Sequence, residues 1–329
     1  MNIRSSKLLY DKGLKIEKSE WENFKINDTI FDFCYRNDFF YAIGAHKIYK
    51  SRDLVNWTSY NLTNNTSIMK KIVNLGDSLF ILCDYDSGGS YTNLDIDSYI
   101  PTVYFSDIGT YTYDALRFST TGNWKNCVFK NAGGDRYIVG YKTVSGQEKG
   151  VISNYQYIGS GGSGSYGWTN PVTLECGCLN CVIRVNDSHI AVGNNGSIAI
   201  KNNYGANWIV KNVGGDSFDW NSIAYGNGRY VIVSKDGYTS MSKDLENWTT
   251  PIQKNEMTNP IIIFAADKFF MISRNGKVNT SYYGTDWNNF KELDPSVRPN
   301  TMISIKYYNG KILIGTYGSY LFYKTWEQI

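Results

Sequence analysis

The chain has 329 residues, and its 33 Lys and Arg against 30 Asp and Glu give a formal net charge of +3, which is too balanced to predict a nucleic-acid groove. Aromatic residues make up 16% of the chain and there are only 6 prolines, a composition that favours half-buried strands over long helices. The N-terminus lacks the features of a secretory signal, and no run approaches the roughly 20 apolar residues that a membrane span needs. We therefore expect a soluble protein made in the cytoplasm without a signal peptide, with no membrane insertion and no nucleic-acid partner.

Seven short motifs along the chain predict hairpins of two strands. Each has an Asp or an Asn-Gly at its turn and apolar residues on either side, as in YGNGRYVIVS, where Asn227 and Gly228 tolerate the positive φ angles of a two-residue turn. The steps between turns are 39 to 43 residues, except for two longer steps of 58 and 52. In chain order the turns lie at Asp38, Asp77, Asp135, Asp187, Gly228, Asp267 and Gly310.

A tryptophan closes most of the units that these hairpins begin. The last four of these tryptophans are 40, 39 and 39 residues apart. A period near 40 with about four short strands per unit is typical of a β-propeller. We predict an all-β fold in which residues 1–329 form one β-propeller with seven four-stranded blades, six or eight blades being the alternatives. The tryptophans in this place are Trp57, Trp168, Trp208, Trp248, Trp287 and Trp326.

The two ends of the chain each look like part of a blade. The N-terminal LKIEKSEWENFKI and the C-terminal YLFYKTWEQI both contain strand-like segments. Pairing of the first and last strands in one sheet would close the ring and cover an exposed edge. We expect residues 1–25 to contribute to this closure.

The two long steps contain insertions rich in Gly, Ser, Tyr and Asp. They are DSGGSYTNLDIDSYIPT at 86–102 and IGSGGSGSYGW at 158–168. Such segments predict exposed loops, and flat rings beside adaptable polar groups suit a sugar or protein partner. The alternative is that they pad neighbouring blades. The candidate binding residues are Tyr91, Asp95, Asp97, Tyr99, Tyr155, Tyr157 and Tyr166.

Four of the tryptophan turns share a polar pattern. SRDLVNW (51–57) and SKDLENW (242–248) carry Ser and Asp, whereas NNYGANW (202–208) and SYYGTDW (281–287) keep a Gly and lose the Asp. These segments resemble degenerate Asp-boxes of BNR-like, sialidase-type propellers, which implies structural turns at the blade rim. Asp and Ser side chains can accept hydrogen bonds within such a turn, and Trp can pack between sheets. The residues given this structural role are Ser51, Asp53, Trp57, Gly205, Trp208, Ser242, Asp244, Trp248, Gly284 and Trp287.

Catalytic chemistry has few candidates in the sequence. A sialidase-like enzyme would need an arginine triad, and no such motif can be matched. Paired carboxylates could hydrolyse glycans, and Asp32, Asp84, Asp86 and Asp219 lie near strands that could line a central channel. We predict no catalytic residue and no cofactor, with a glycan-active enzyme (glycosidase, lyase or sialidase-like) as the alternative.

The cluster CGCLNC, with Cys176, Cys178 and Cys181, raises the question of a metal site. A tetrahedral zinc site would need a fourth ligand, such as His189 or a cysteine from another blade. Buried strands favour small apolar residues at these places, so core packing is the preferred interpretation. We predict no metal, and metal binding at the three cysteines stays open.

One long segment gives a second resemblance. WNSIAYGNGRYVIVSKDGYTSMSKDLENW, residues 220–248, is similar to repeats in phage tail and prophage-derived (tailocin-like) proteins. The resemblance implies a non-catalytic propeller in a virion, tail, baseplate or tailocin-like particle, used for host attachment (receptor binding) or as an adaptor. The implied partners are other tail or baseplate proteins and a host-surface glycan or protein, with oligomers set by particle symmetry. A cellular lectin or assembly factor is the alternative.

Overall fold

The computed structural model describes residues 22–45, 47–61, 67–74, 79–85, 99–105, 111–117, 123–129, 136–158, 165–169, 171–203, 206–254, 257–290, 302–318 and 320–325. Every regular element within these ranges is a β-strand. Across the same ranges there is no helix long and apolar enough to span a bilayer.

The strands of the described residues form seven antiparallel sheets, which agrees with the prediction of seven blades. Blades 1 to 6 each take consecutive strands, and blade 7 combines the last three strands with the first. Blade 1 holds β2 (Asp32–Arg36), β3 (Phe39–Ile43), β4 (Lys47–Ser51) and β5 (Thr58–Asn61); blade 2 holds β6 (Ser67–Asn74), β7 (Leu79–Tyr85), β8 (Tyr99–Phe105) and β9 (Tyr111–Arg117). Blade 3 holds β10 (Asn123–Phe129), β11 (Arg136–Val144), β12 (Gln147–Ile158), β13 (Ser165–Trp168) and β14 (Val172–Thr173); blade 4 holds β15 (Leu179–Val185), β16 (Ser188–Gly193), β17 (Ser197–Lys201) and β18 (Ile209–Asn212). Blade 5 holds β19 (Trp220–Gly226), β20 (Arg229–Ser234), β21 (Tyr238–Ser242) and β22 (Ile252–Gln253); blade 6 holds β23 (Ile261–Ala265), β24 (Lys268–Ile272), β25 (Val278–Ser281) and β26 (Asn288–Phe290); blade 7 holds β27 (Met302–Tyr308), β28 (Lys311–Thr316), β29 (Tyr320–Thr325) and β1 (Glu22–Lys25).

The first strands of neighbouring blades contact one another around a closed ring, in the order β2, β6, β10, β15, β19, β23, β27 and back to β2. Side-chain hydrogen bonds repeat this link. The Asn180 amide donates to the Trp220 carbonyl of the next blade at 2.9 Å, and the Asn221 amide donates to the Pro260 carbonyl at 2.9 Å. Each bond gives a backbone carbonyl of the next blade a hydrogen-bond partner.

Strand β1 pairs with β29 and thereby joins the N-terminal part of the chain to blade 7. The register runs from Glu22 opposite Tyr323 to Lys25 opposite Tyr320, and the Tyr323 hydroxyl donates to the Glu22 carboxylate at 2.7 Å. Residues 22–25 of the predicted closing segment are therefore paired as expected. Residues 1–21 lie outside the described ranges.

Five of the predicted hairpin turns lie among the described residues, between the first and second strands of blades 1, 4, 5, 6 and 7. Positive φ angles occur at Asn37 and Asp38, at Asn227 and Gly228, and in the other three turns. Four of these turns have two consecutive positive φ values, which match the twist of the flanking strands, and the blade 4 turn has one, at Asn186. The turns at Asp77 and Asp135 lie outside the described residues.

The alternation of strands gives the ring two faces. The turn face carries the hairpin turns between first and second strands and the turns between third and fourth strands. The loop face carries the turns between second and third strands and the connections from one blade to the next. The apolar core lies between the blades, where for example Trp220 and Ile232 of blade 5 pack with Ile190 of blade 4, all nearly inaccessible to solvent.

Blade 3 departs from the predicted four strands. The long strand β12 pairs with β14 through Val151 and Ile152, and with β13 through its last four residues. The segment 158–168 is therefore not entirely a loop, because 165–168 extend the sheet. The insertion 86–102 is likewise shorter than predicted, since its last four residues belong to β8.

Candidate functional site

The turn between the third and fourth strands of blade 1 is held by its own side chains. The Ser51 hydroxyl donates to the Asp53 carboxylate at 3.0 Å and accepts the Leu54 N–H at 2.9 Å. The same carboxylate accepts the N–H groups of Val55 and Asn56 at 2.9 and 2.7 Å. Groups that the turn would leave without partners are thus satisfied locally.

Blade 5 repeats this geometry. The Ser242 hydroxyl donates to Asp244 at 3.0 Å and accepts the Leu245 N–H at 2.9 Å. Backbone hydrogen bonds, above all from Asn56 and from Asn247, hold the pKa values of Asp53 and Asp244 well below the usual carboxyl range. Both carboxylates are exposed and engaged inside their turns, which is a scaffold geometry.

Blade 6 reaches the same turn with a different carboxylate. The Gly284 N–H donates to the Ser281 hydroxyl at 2.7 Å, and that hydroxyl donates to Asp286 at 2.9 Å. The segment has Tyr283 where blade 1 has Asp53, and Asp286, later in the same turn, supplies the carboxylate.

The residue three places after the serine enters the core. Leu54 and Leu245 adopt φ values of 67° and 65° there, and Gly284 has 80°. Leu54 packs among apolar residues of blade 7, and Leu245 packs with Ile190 of blade 4. Leu54 and Leu245 thus occupy the position that Gly284 holds in blade 6.

The tryptophans of these turns are half-buried. The indole N–H of Trp57 donates to the Leu54 carbonyl at 2.9 Å, and that of Trp248 to the Leu245 carbonyl at 3.3 Å. Trp208 packs edge-on against Tyr137 of blade 3 at 5.6 Å. Trp287 packs against the core between blades 5 and 6. Trp208 and Trp287 therefore contact neighbouring blades, and Leu54 and Leu245 pack against neighbouring blades as well. Gly205 lies outside the described residues.

Four of the predicted binding tyrosines lie on strands. Tyr155 and Tyr157 of β12 lie opposite Trp168 and Tyr166 of β13, so three of the predicted residues share one hairpin of blade 3. Tyr99 belongs to β8 of blade 2, where it pairs with Arg117. Tyr91, Asp95 and Asp97 lie outside the described residues.

The cysteine segment is packed between blades 3 and 4. Cys178 is buried, and the Gly177 N–H donates to the Ser197 hydroxyl at 3.1 Å. Burial raises the pKa of the Cys176 and Cys178 thiols to about 11, which keeps them protonated at neutral pH. Within the described part of the chain, no group of three or more His, Cys, Asp and Glu is arranged to hold a metal ion.

The acids considered for glycan chemistry are engaged separately. Asp32 is buried in blade 1, where its carboxylate accepts the Ile72 N–H at 3.2 Å and lies 3.6 Å from the Lys306 ammonium. Asp219 belongs to blade 5 and pairs with Lys235 at 3.0 Å. The side chain of Asp84 and all of Asp86 lie outside the description.

An open polar cleft of about 670 Å³ lies beside the cysteine segment on the loop face. Its rim includes Glu148 and an ion pair in which the Lys149 ammonium lies 2.7 Å from the Glu175 carboxylate. Amide side chains from blade 4, such as Asn194, complete the lining. The cleft is therefore lined by positively charged, negatively charged and amide side chains, all of which can form hydrogen bonds.

The turn face of blades 5 and 6 carries exposed tyrosines. Tyr225 is 38% exposed and packs against Tyr230 with 4.6 Å between ring centroids. Tyr282 and Tyr283 are each 44% exposed and meet edge-on at 4.7 Å. The Arg229 guanidinium lies over the Tyr283 ring at 4.4 Å. We call these five residues the tyrosine–arginine platform.

Sequence reasoning did not select the platform, because its residues belong to the repeats and not to the insertions. A signal was present in the alternation of β19 and β20. Tyr225 and Tyr230 are cross-strand neighbours, and Arg229 faces the opposite side of the sheet. In the turn of blade 6, Tyr282 and Tyr283 occupy the positions that Arg52 and Asp53 hold in the turn of blade 1.

No protein-family model and no curated protein matches this sequence. Among solved structures, virginiamycin B lyase from Staphylococcus aureus is similar with a TM-score of 0.68 and 9% identity, over 92% of this chain and 99% of that chain. YCF48 bound to D1 peptide is similar with a TM-score of 0.66 and 14% identity, over 95% and 97%. The Pan2 WD40 domain of Neurospora crassa has a TM-score of 0.66 and 8% identity, over 95% and 98%. These likenesses show that the chain has a β-propeller fold.

Proposed function

We propose that this chain is a non-catalytic binding propeller that contacts another macromolecule through the tyrosine–arginine platform. The observation that carries the proposal is the exposure of Tyr225, Tyr282 and Tyr283 beside Arg229 on one face. Tyrosine and arginine are the residues that contribute most often to the centres of protein interfaces. Exposed rings that contact one another mark an interaction surface more than isolated ones do.

The platform rests on a fixed base. The Asn227 amide donates to the carbonyls of Asp267 and Tyr282 at 3.1 and 3.0 Å, which ties the hairpin turn of blade 5 to both turns of blade 6. A Cβ at Gly284 would collide with Val231, so the two blades are in close contact behind the tyrosines. Such preorganisation lowers the entropy lost on binding.

The particle proposed is a phage tail, a baseplate or a tailocin-like assembly, in which the propeller is an attachment or adaptor subunit. The support is the sequence resemblance of residues 220–248 to tail and prophage repeats. This segment includes Tyr225, Arg229 and Tyr230 of the platform. The turns around Asp53 and Asp244, which resemble Asp-boxes, are scaffold in this proposal.

The comparison with YCF48 supports protein binding in general, because that propeller was solved with a bound peptide. In this chain we propose that the partner protein binds on the turn face. The residues near the insertions, including Tyr99, Tyr155, Tyr157 and Tyr166, are proposed as a second contact region with the same kind of partner.

The test is copurification from the native host or after induction of the prophage. We expect the wild-type chain to copurify with tail or baseplate proteins, and the Tyr282→Ala/Tyr283→Ala variant to be lost from that fraction. Tyr317→Ala is the matched control, because Tyr317 is 47% exposed on the loop face. Equal recovery of all three proteins would contradict the role of the platform, and recovery without tail proteins would contradict the particle.

The second contact region needs its own deletion. Since 99–102 belong to β8, the deletion should remove only 86–98 and join the flanking strands with a short polar turn. We expect weaker binding to intact host cells with unchanged thermal stability. Unchanged binding would remove this insertion from the proposed surface.

A glycan-active enzyme is the second candidate, favoured by the loop-face cleft and by the fold that the chain shares with a lyase. A catalytically inactive histidine-to-alanine variant of that lyase was solved with quinupristin. In this chain His189 is buried with its ring 4.4 Å from that of Tyr137, and His46 lies outside the described residues. Release of reducing ends from host-wall glycans, abolished by Glu148→Gln, would favour the enzyme over the binding propeller.

A further inference from the structure

The platform has two halves that flank one turn. Tyr225 and Tyr230 lie on one side of the blade 5 sheet, and Arg229 lies on the other with the tyrosines of blade 6. The Asn227–Gly228 turn lies between the halves. A sheet with side chains on both faces is about 10 Å across, a distance that roughly three residues of extended chain can cover.

Arg229 is held in place and keeps a free donor at its other terminal nitrogen. One of its terminal nitrogens donates to the Asn227 carbonyl at 3.0 Å, and its plane lies over Tyr283. No carboxylate among the described residues pairs with it, and its Nε is buried without a partner there. Because one terminal nitrogen is bound to the Asn227 carbonyl and Nε is buried, the other terminal nitrogen is the donor that remains for a carboxylate of a partner.

The tyrosines offer edges and hydroxyls more than open ring faces. Tyr282 and Tyr283 meet at 85°, Tyr225 and Tyr230 at 45°, and one face of Tyr283 is covered by Arg229. Stacking of a sugar ring needs a free flat face, whereas a peptide can use ring edges for its side chains and hydroxyls for its backbone. Within the described part of the chain, the four hydroxyls form no hydrogen bond, so they are available to such a partner.

From this arrangement we infer that the platform docks an extended protein segment that carries an Asp or Glu side chain. The carboxylate pairs with Arg229, and the flanking residues cross the Asn227–Gly228 turn to reach Tyr225 and Tyr230. The inference rests on the proposed function, because it names the partner chemistry of the same surface. Tyr282 forms the outer wall beside the carboxylate.

The probe for this inference is a library of short random peptides, selected on the immobilised full-length chain. We expect the selected peptides to share an acidic residue. Arg229→Gln should weaken binding of such a peptide by about 10-fold or more, as should replacement of its Glu or Asp by the amide. The two changes together should be no worse than either alone, because both remove the same pair.

Arg274→Gln is the matched control, since Arg274 is an exposed arginine on the loop face of the neighbouring blade, and it should bind the peptide as the wild type does. Thermal unfolding of both variants checks that the fold is kept. Selected peptides without carboxylates, retrieval of no peptide, capture of acidic glycans in place of peptides, or full binding by Arg229→Gln would each overturn the inference. If Tyr282→Ala/Tyr283→Ala loses binding and Arg229→Gln binds as the wild type does, the inference is overturned and the proposed function still stands.

Discussion

The Asp286 carboxylate accepts the Ser281 hydroxyl at 2.9 Å, and the Asp53 carboxylate accepts the Ser51 hydroxyl at 3.0 Å from a different position in its turn. The serine is therefore the common element, because its oxygen also accepts the N–H of the residue three places on in both turns. A turn that can take its carboxylate from either of two positions tolerates drift in sequence between blades.

The serine hydroxyl of blade 5 gives the first stability prediction. Ser242 is buried, and its hydroxyl accepts the Leu245 N–H at 2.9 Å. Ser242→Ala should lower the free energy of unfolding by about 2 kcal/mol, because a buried N–H loses its acceptor. Urea denaturation measures the change. Thr250→Ala, an exposed position eight residues on, is the control, and an equal loss in both variants would contradict the role of the serine.

The two turn carboxylates give a pH prediction. Hydrogen bonds hold the folded-state pKa values of Asp53 and Asp244 below their unfolded values, which are about 3.9. The unfolded chain therefore binds more protons, so the stabilisation is present above about pH 4 and is lost as the pH falls below it.

The double variant Asp53→Asn/Asp244→Asn checks this linkage. We expect it to unfold more easily than the wild type at neutral pH and the gap between the two to be smaller at pH 3, as followed by urea denaturation at both pH values. Asp236→Asn, an exposed residue of the loop face, should show no such convergence. A constant gap between wild type and double variant at both pH values would argue against the linkage.

Leu245 combines burial with a positive φ angle, and this gives an unusual order of variants. Leu245→Ala should destabilise by about 3 kcal/mol through lost packing. Leu245→Gly should be no worse, because glycine relieves a left-handed conformation that costs L-residues about 1 kcal/mol. At Ile232, which is buried in a strand, Gly should be worse than Ala. Chemical denaturation of the four variants checks the order, and a worse Gly at both sites would refute it.

The pairing of β1 with β29 predicts the effect of shortening the chain. A chain that begins at residue 26 lacks β1 and exposes the edge of β29, so it should melt at a lower temperature and aggregate. A chain that begins at residue 22 keeps all four cross-strand pairs. If the two shortened chains melt at the same temperature, β1 does not stabilise the propeller. A different melting temperature for the chain that begins at residue 22 and the full chain would reveal a role for residues 1–21.

The buried thiols predict slow chemistry. Burial raises the pKa of Cys34 to about 12 and that of Cys178 to about 11, and the thiolate is the reactive form. At pH 7 the peptides that carry these residues should react with iodoacetamide only after unfolding, as measured by mass spectrometry. Rapid labelling of Cys178 in the folded protein, or a higher melting temperature with zinc, would contradict the packing role.

The hairpin turns could be predicted because the signal is local. Asn227 and Gly228 have positive φ angles, as the motif indicates, and the same holds for Asn309 and Gly310. The extents of the insertions cannot be read from composition in the same way. Tyr99 and Tyr166 lie in strands because cross-strand pairing extends a sheet into residues whose composition indicates a loop.

The repeat, the hairpin turns and the all-β propeller fold can be read from the sequence alone, because they follow from short-range alternation and from residues that tolerate particular φ angles. The packing of one blade against the next is what brings Leu245 against Ile190 of blade 4 and the Arg229 guanidinium over the Tyr283 ring. Each of these joins residues of different strands or blades. Contacts between blades depend on how neighbouring sheets pack against each other, and the sequence of one blade does not specify that packing.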